Sequence, residues 1–120
     1  MEMIVTNNPR VNDEFSQKKA VEFIDGDITA VFTRVRDRIH KGYKLLTHPL
    51  SGSVKPNETP FKTVLICTCP ELDLPSLELI ENALDACRKF PVKYPNMAKD
   101  MLDDFSLIDF SLFSSAINPF

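Results

Sequence analysis

Glycine is scarce in this sequence, with three in 120 residues against nine prolines. An average domain holds roughly 7% Gly and 5% Pro, so the usual order is reversed. Neither a Gly-rich dinucleotide loop nor a P-loop occurs, which excludes the cofactor folds built on them. Nothing else in the sequence asks for a cofactor. Tryptophan is absent while phenylalanine appears nine times, so the core is expected to be filled by rings without a polar handle. No run reaches the roughly 18 apolar residues of a membrane span. The opening Met1–Val5 has neither the basic nor the apolar region of a secretory signal. Cysteine is limited to Cys67, Cys69 and Cys87. That odd count, with no C-x-x-C pair, points to free thiols in a reducing cytoplasm. Cys67 and Cys69 share a strand face, but C-x-C is not a structural zinc spacing, so no metal site is expected.

The length of 120 residues fits one domain spanning 1–120. The net charge of −3 hides an asymmetry. Residues 1–62 carry ten Lys/Arg against eight Asp/Glu, and residues 63–120 carry four against nine. Arg34, Arg36, Arg38 and Lys41 could form a basic helix face. They lack interleaved aromatics and any nucleic-acid motif, so a solvated face is expected and no nucleic-acid partner.

Along the chain, Met3–Thr6 reads as a first strand. Asn8 is a good helix N-cap and Pro9 a good first helical residue. Ala20–Ile24 reads as a second strand. Asp27 caps a helix on which Ile28, Val31, Phe32, Val35 and Ile39 follow a 3.6 period, and Gly42 stops it. Tyr43–Thr47 reads as a third strand, 48–61 as a proline-braced loop, and Thr63–Thr68 as a nearly all-apolar central strand. A helix with Leu77, Ile80, Leu84 and Cys87 on one side follows. Then comes a last helix with Met97, Met101, Leu102, Phe105, Ile108 and Leu112 as its stripe. The expected fold is a single compact α/β domain: a short, largely parallel four-stranded sheet flanked by helices, with a helical C-terminus. The Phe-rich stretch Phe105–Phe120 has more apolar surface than a small core can hide, so either it crosses the middle of the fold or its surplus face meets another chain, as in a homodimer.

Ligands of open parallel sheets bind beyond the strands' carboxyl ends. Those ends would deliver Thr6, Asn7 and Asn8, then Asp25 and Gly26, then Thr47 and His48, then Thr68 and Cys69. The adjoining loop holds Ser51, Gly52, Ser53 and Lys55. Hydroxyls, backbone amides around a glycine and a lysine suit a small anion. The candidate ligand-binding set is therefore Thr6, Asn7, Asn8, His48, Ser51, Gly52, Ser53 and Lys55. A proline-braced loop whose hydroxyls bond their own backbone has the same pattern. An alternative is a small enzyme acting on a phosphorylated or acyl metabolite. His48 would then be acid/base and Ser51 or Ser53 the nucleophile, although no oxyanion hole or third member is evident.

The segment His40–Pro60, above all Thr47-His48-Pro49-Leu50-Ser51-Gly52-Ser53 with Lys55-Pro56-Asn57, resembles the GrdX family. So do Ile4–Pro9 and Val21–Ile24. The resemblance implies an accessory role beside the glycine, sarcosine and betaine reductases of amino-acid-fermenting anaerobes. A reductase subunit would then be a partner. It brings no catalytic residues with it.

Overall fold

The computed structural model describes residues 1–50, 59–90 and 97–117. Its elements run β1 (Glu2–Thr6), α1 (Pro9–Phe15), β2 (Ala20–Phe23), α2 (Ile28–His40), β3 (Tyr43–Leu45), β4 (Thr63–Thr68), α3 (Leu74–Lys89) and α4 (Lys99–Ile117). The strands form one sheet in the order β2-β1-β4-β3. The expected α/β class holds, but the sheet is mixed, not largely parallel. β1 and β2 are parallel, while β4 runs antiparallel to both β1 and β3. A link from β3 to β4 long enough for a crossover also permits a simple return, and the chain takes the return. β4 is central as expected, with Thr63 through Ile66 buried.

Strand periodicity distributes the core to two sides. Val5, Val64 and Ile66 face α2 and α3, where they meet Val31, Phe32, Ile39 and Ile80. Ile4 and Leu65 face α1 and α4, where they meet Val11, Phe15 and Phe113. Phe15 stacks edge-on against Phe113 with ring centroids 5.8 Å apart. Phe32 is fully buried, and one such side chain stabilises the fold by about 1.5–3 kcal/mol.

Local chemistry sets the helix ends. The Asn8 side chain accepts from the Arg10 amide, with Pro9 in the first turn. Asp27 Oδ1 accepts from the Ala30 amide at 2.8 Å. Asp73 caps α3 through the Ser76 amide. Ser76 Oγ in turn accepts from the Leu45 amide at 2.9 Å, which ties edge strand β3 to α3. Glu22 on the other edge strand is held by Arg34 and Arg38 of α2. Burial works to raise the Glu22 carboxyl, but hydrogen bonds and charge from Arg38 and Arg34 outweigh it and hold it below its ordinary value. Arg36 pairs with Glu81 at 3.6 Å. The arginines of the basic face are thus engaged in pairs within the fold.

The stripe expected on α4 is placed differently. Ser106, Asp109 and Phe113 are the buried residues, while Met101, Ile108 and Leu112 are exposed. The buried polar pair Ser106 and Asp109 rotates the helix away from its most apolar side.

Gly42 has φ of +102°, in a region that L side chains resist. A Gly42→Ala variant should lose about 1–2 kcal/mol of stability, seen as a lower urea midpoint.

Candidate functional site

The reversal of β4 changes which residues meet at the sheet edge. The carboxyl ends of β1, β2 and β3 converge there, but β4 contributes its amino end. Lys62 and Thr63 therefore stand beside Thr6 and Asn7, since Thr6 pairs with Thr63 in the register. Thr68 and Cys69, expected at this edge, lie at the opposite one.

Asn7 is the knot of the edge. Its Nδ2 donates to the Gly26 carbonyl at 3.0 Å and to the Pro60 carbonyl at 2.8 Å. Its Oδ1 accepts from the Lys62 amide at 2.9 Å. One side chain thus fastens the turn after β2 and the entry to β4 to the end of β1. A Cβ at Gly26 would stand 2.9 Å from that of Ala30, so another residue there would force the turn or the first turn of α2 to shift.

Asn8 is fully buried and engaged on both ends. Its Nδ2 donates to the Ser106 carbonyl at 2.9 Å and to Asp109 Oδ2 at 3.0 Å. Its Oδ1 accepts from the Arg10 amide and from Ser106 Oγ. Arg10 Nε donates to Ser106 Oγ at 3.0 Å.

Thr63 Oγ1 donates to Asp109 Oδ2 at 2.7 Å. Thr6 Oγ1 lies 2.7 Å from Thr63 Oγ1 and donates to the Lys62 carbonyl at 3.3 Å. Thr6 Oγ1 also accepts from the Asn8 amide at 3.0 Å. The result is a connected network from the Asn8 amide through Thr6 and Thr63 to Asp109. Burial pushes the Asp109 carboxyl above its ordinary value, against the pull of Asn8, Thr63 and the Lys62 charge. Burial also pushes the Lys62 ammonium below its ordinary value, with Asp109 opposing that shift.

The side chains of Thr6, Asn7 and Asn8 are therefore bound to protein partners. His48 is exposed, and its Nδ1 accepts from the Leu50 amide at 3.0 Å within a local turn. Ser51, Gly52, Ser53 and Lys55 lie outside the described residues. Sequence reasoning missed Ser106, Asp109, Lys62 and Thr63. A signal was present in the first two: they stand three apart on α4 and so share a face.

The thiols of Cys67, Cys69 and Cys87 are free and partly buried. Burial raises Cys87 above its ordinary value. Among the described residues, no group of three or more His, Cys, Asp or Glu could hold a metal ion, and no helix is long and apolar enough to cross a membrane.

Fold and edge together define a compact α/β protein with a mixed four-stranded sheet, whose strand ends are locked by a buried polar network. The chain belongs to the GrdX-like protein family, whose model it matches over residues 3–118. Neither the curated proteins nor the solved structures give a match.

Proposed function

We propose that this protein is a non-enzymatic accessory of glycine, sarcosine and betaine reductase metabolism, acting in the cytoplasm. It binds a reductase subunit or a small anionic metabolite at the polar sheet edge. The observation that carries this reading is membership of the GrdX-like family across residues 3–118, which the family's name links to that system. In this reading Thr6, Asn7 and Asn8 hold the frame, since their side chains are engaged within it. His48, Ser51, Gly52, Ser53 and Lys55 make the direct contacts. No metal or cofactor takes part. Catalysis by His48 with Ser51 or Ser53 has less support, because Nδ1 of His48 is already an acceptor in its own turn. A homodimer formed across α4 fits the exposure of Met101, Ile108 and Leu112 on its outer side.

The test is a pull-down against purified reductase subunits, with calorimetric titration of inorganic phosphate and acetyl phosphate. At least one binding event is expected. If the event is anion binding, Lys55→Ala should weaken it by about tenfold, the worth of one charge-assisted contact. Failure of both arms ends this reading.

A further inference from the structure

Helices pack on both faces of the sheet. α2 and α3, of 13 and 16 residues, cover one face. On the other lie the 19-residue α4 and α1, which stops after seven residues at Phe15. Beyond it a cavity of about 530 Å³ remains between the sheet, the end of α1 and the end of α4, within the usual size range of small-molecule sites. Its apolar lining comes from Phe15, Leu46, Leu65, Ala116 and Ile117. Its polar lining is Glu2, Lys18, Lys19 and Thr47.

A break in the strand pairing shapes one wall. The amides of Leu46 and Thr47 both donate to the Leu65 carbonyl, at 2.8 and 3.3 Å, and the Leu65 amide donates to Thr47 Oγ1 at 3.0 Å. Two residues thus oppose one, the arrangement of a β-bulge, which re-aims side chains. In a regular strand, neighbours point to opposite faces. Here Leu46 and Thr47 line the same cavity, and Leu46 is left 44% exposed.

The charges of the lining do not balance: Lys18 and Lys19 stand against Glu2. Lys19 pairs with Glu2 at 2.9 Å, and Lys18 with Glu14 at 3.5 Å. Both pairs are solvent-exposed and so weakly held, and an incoming anion can exchange with them.

We propose that this cavity is a binding site for a monocarboxylate with an apolar body. The body lies on Phe15, Leu46, Leu65 and Ile117, and the carboxylate meets Lys18 and Lys19. The site shares no residue with the strand-end anion site, so either can fail alone.

Octanoate is the probe, followed by NMR on the isotope-labelled full chain, with octylammonium as the charge-reversed control. Saturable shifts are expected at the methyls of Leu46, Leu65 and Ile117, and octylammonium should not saturate. Lys18→Glu with Lys19→Glu should weaken octanoate by at least about tenfold, as removal of charge-assisted contacts predicts. Glu2→Gln removes the carboxylate that competes for Lys19, so it should tighten octanoate several-fold, a gain that damage to the fold cannot mimic. Shifts centred elsewhere, equal binding of octylammonium, or no response to the Lys18 and Lys19 changes would overturn the proposal.

Discussion

Replacing Asn7 by alanine should cost about 3 kcal/mol of stability, because it removes three hydrogen bonds at once, at about 1 kcal/mol each. The Gly26 and Pro60 carbonyls lose their donor, and the Lys62 amide loses its acceptor. A side chain 6% exposed leaves little room for water to replace it. The urea midpoint should fall by more than about 1 M. Hydrogen exchange should quicken most at Lys62 and around Gly26, the groups that Asn7 holds. A loss under about 1 kcal/mol would mean that the edge is not held by Asn7.

Asp109→Ala should be comparably damaging, also about 3 kcal/mol, because it leaves two buried donors without their acceptor. Thr63 Oγ1 and Asn8 Nδ2 both donate to Oδ2 of this carboxylate, and Lys62 loses its opposing charge. Asp109→Asn can present one carbonyl oxygen to both donors but carries no charge, so it should lose less.

The pH dependence separates these roles. The Asp109 carboxyl is raised from 3.8, so the folded protein holds this proton more tightly than the unfolded chain. Its contribution is therefore most favourable below 3.8 and declines as pH rises through the raised value. Glu22, lowered from 4.5, runs the other way: its contribution is present above 4.5 and is lost as pH falls. The raw curve mixes the two. Subtracting the Asp109→Asn curve from that of the parent should isolate a component that falls with rising pH on the acid side. A component that rises would contradict the raised carboxyl.

Local features were legible in the sequence where one residue type had one physical job. Asp27, the apolar period from Ile28 to Ile39, and Gly42 bounded α2 correctly. Asn8 with Pro9 marked the start of α1. The uniform apolar run of Thr63–Thr68 marked a central strand. The direction of β4 was not legible, because its residues are apolar on both faces and suit either direction. The buried side of α4 was misread because hydropathy ranks Ile108 and Leu112 above Ser106 and Asp109. The fold buries the polar pair to satisfy Asn8 and Thr63, a reason that lies a hundred residues away in the chain for Asn8. Of the candidate site residues, Thr6, Asn7 and Asn8 stand together at the end of β1. Their engagement with Gly26, Pro60 and Ser106 could not be seen without the fold.

The order β2-β1-β4-β3 also governs how the molecule comes into being. β1 is made first, yet its inner neighbour β4 is joined across a gap of 57 residues between Thr6 and Thr63. As the chain emerges during synthesis, β1 can dock β2 early, but its other edge waits with unpaired amides on an apolar strand. Such an edge invites pairing with other chains, and distant pairings close slowly. No fragment ending before Thr63 can complete the sheet. Until Thr63 has been made, one of the two central strands of the finished sheet therefore keeps an open edge.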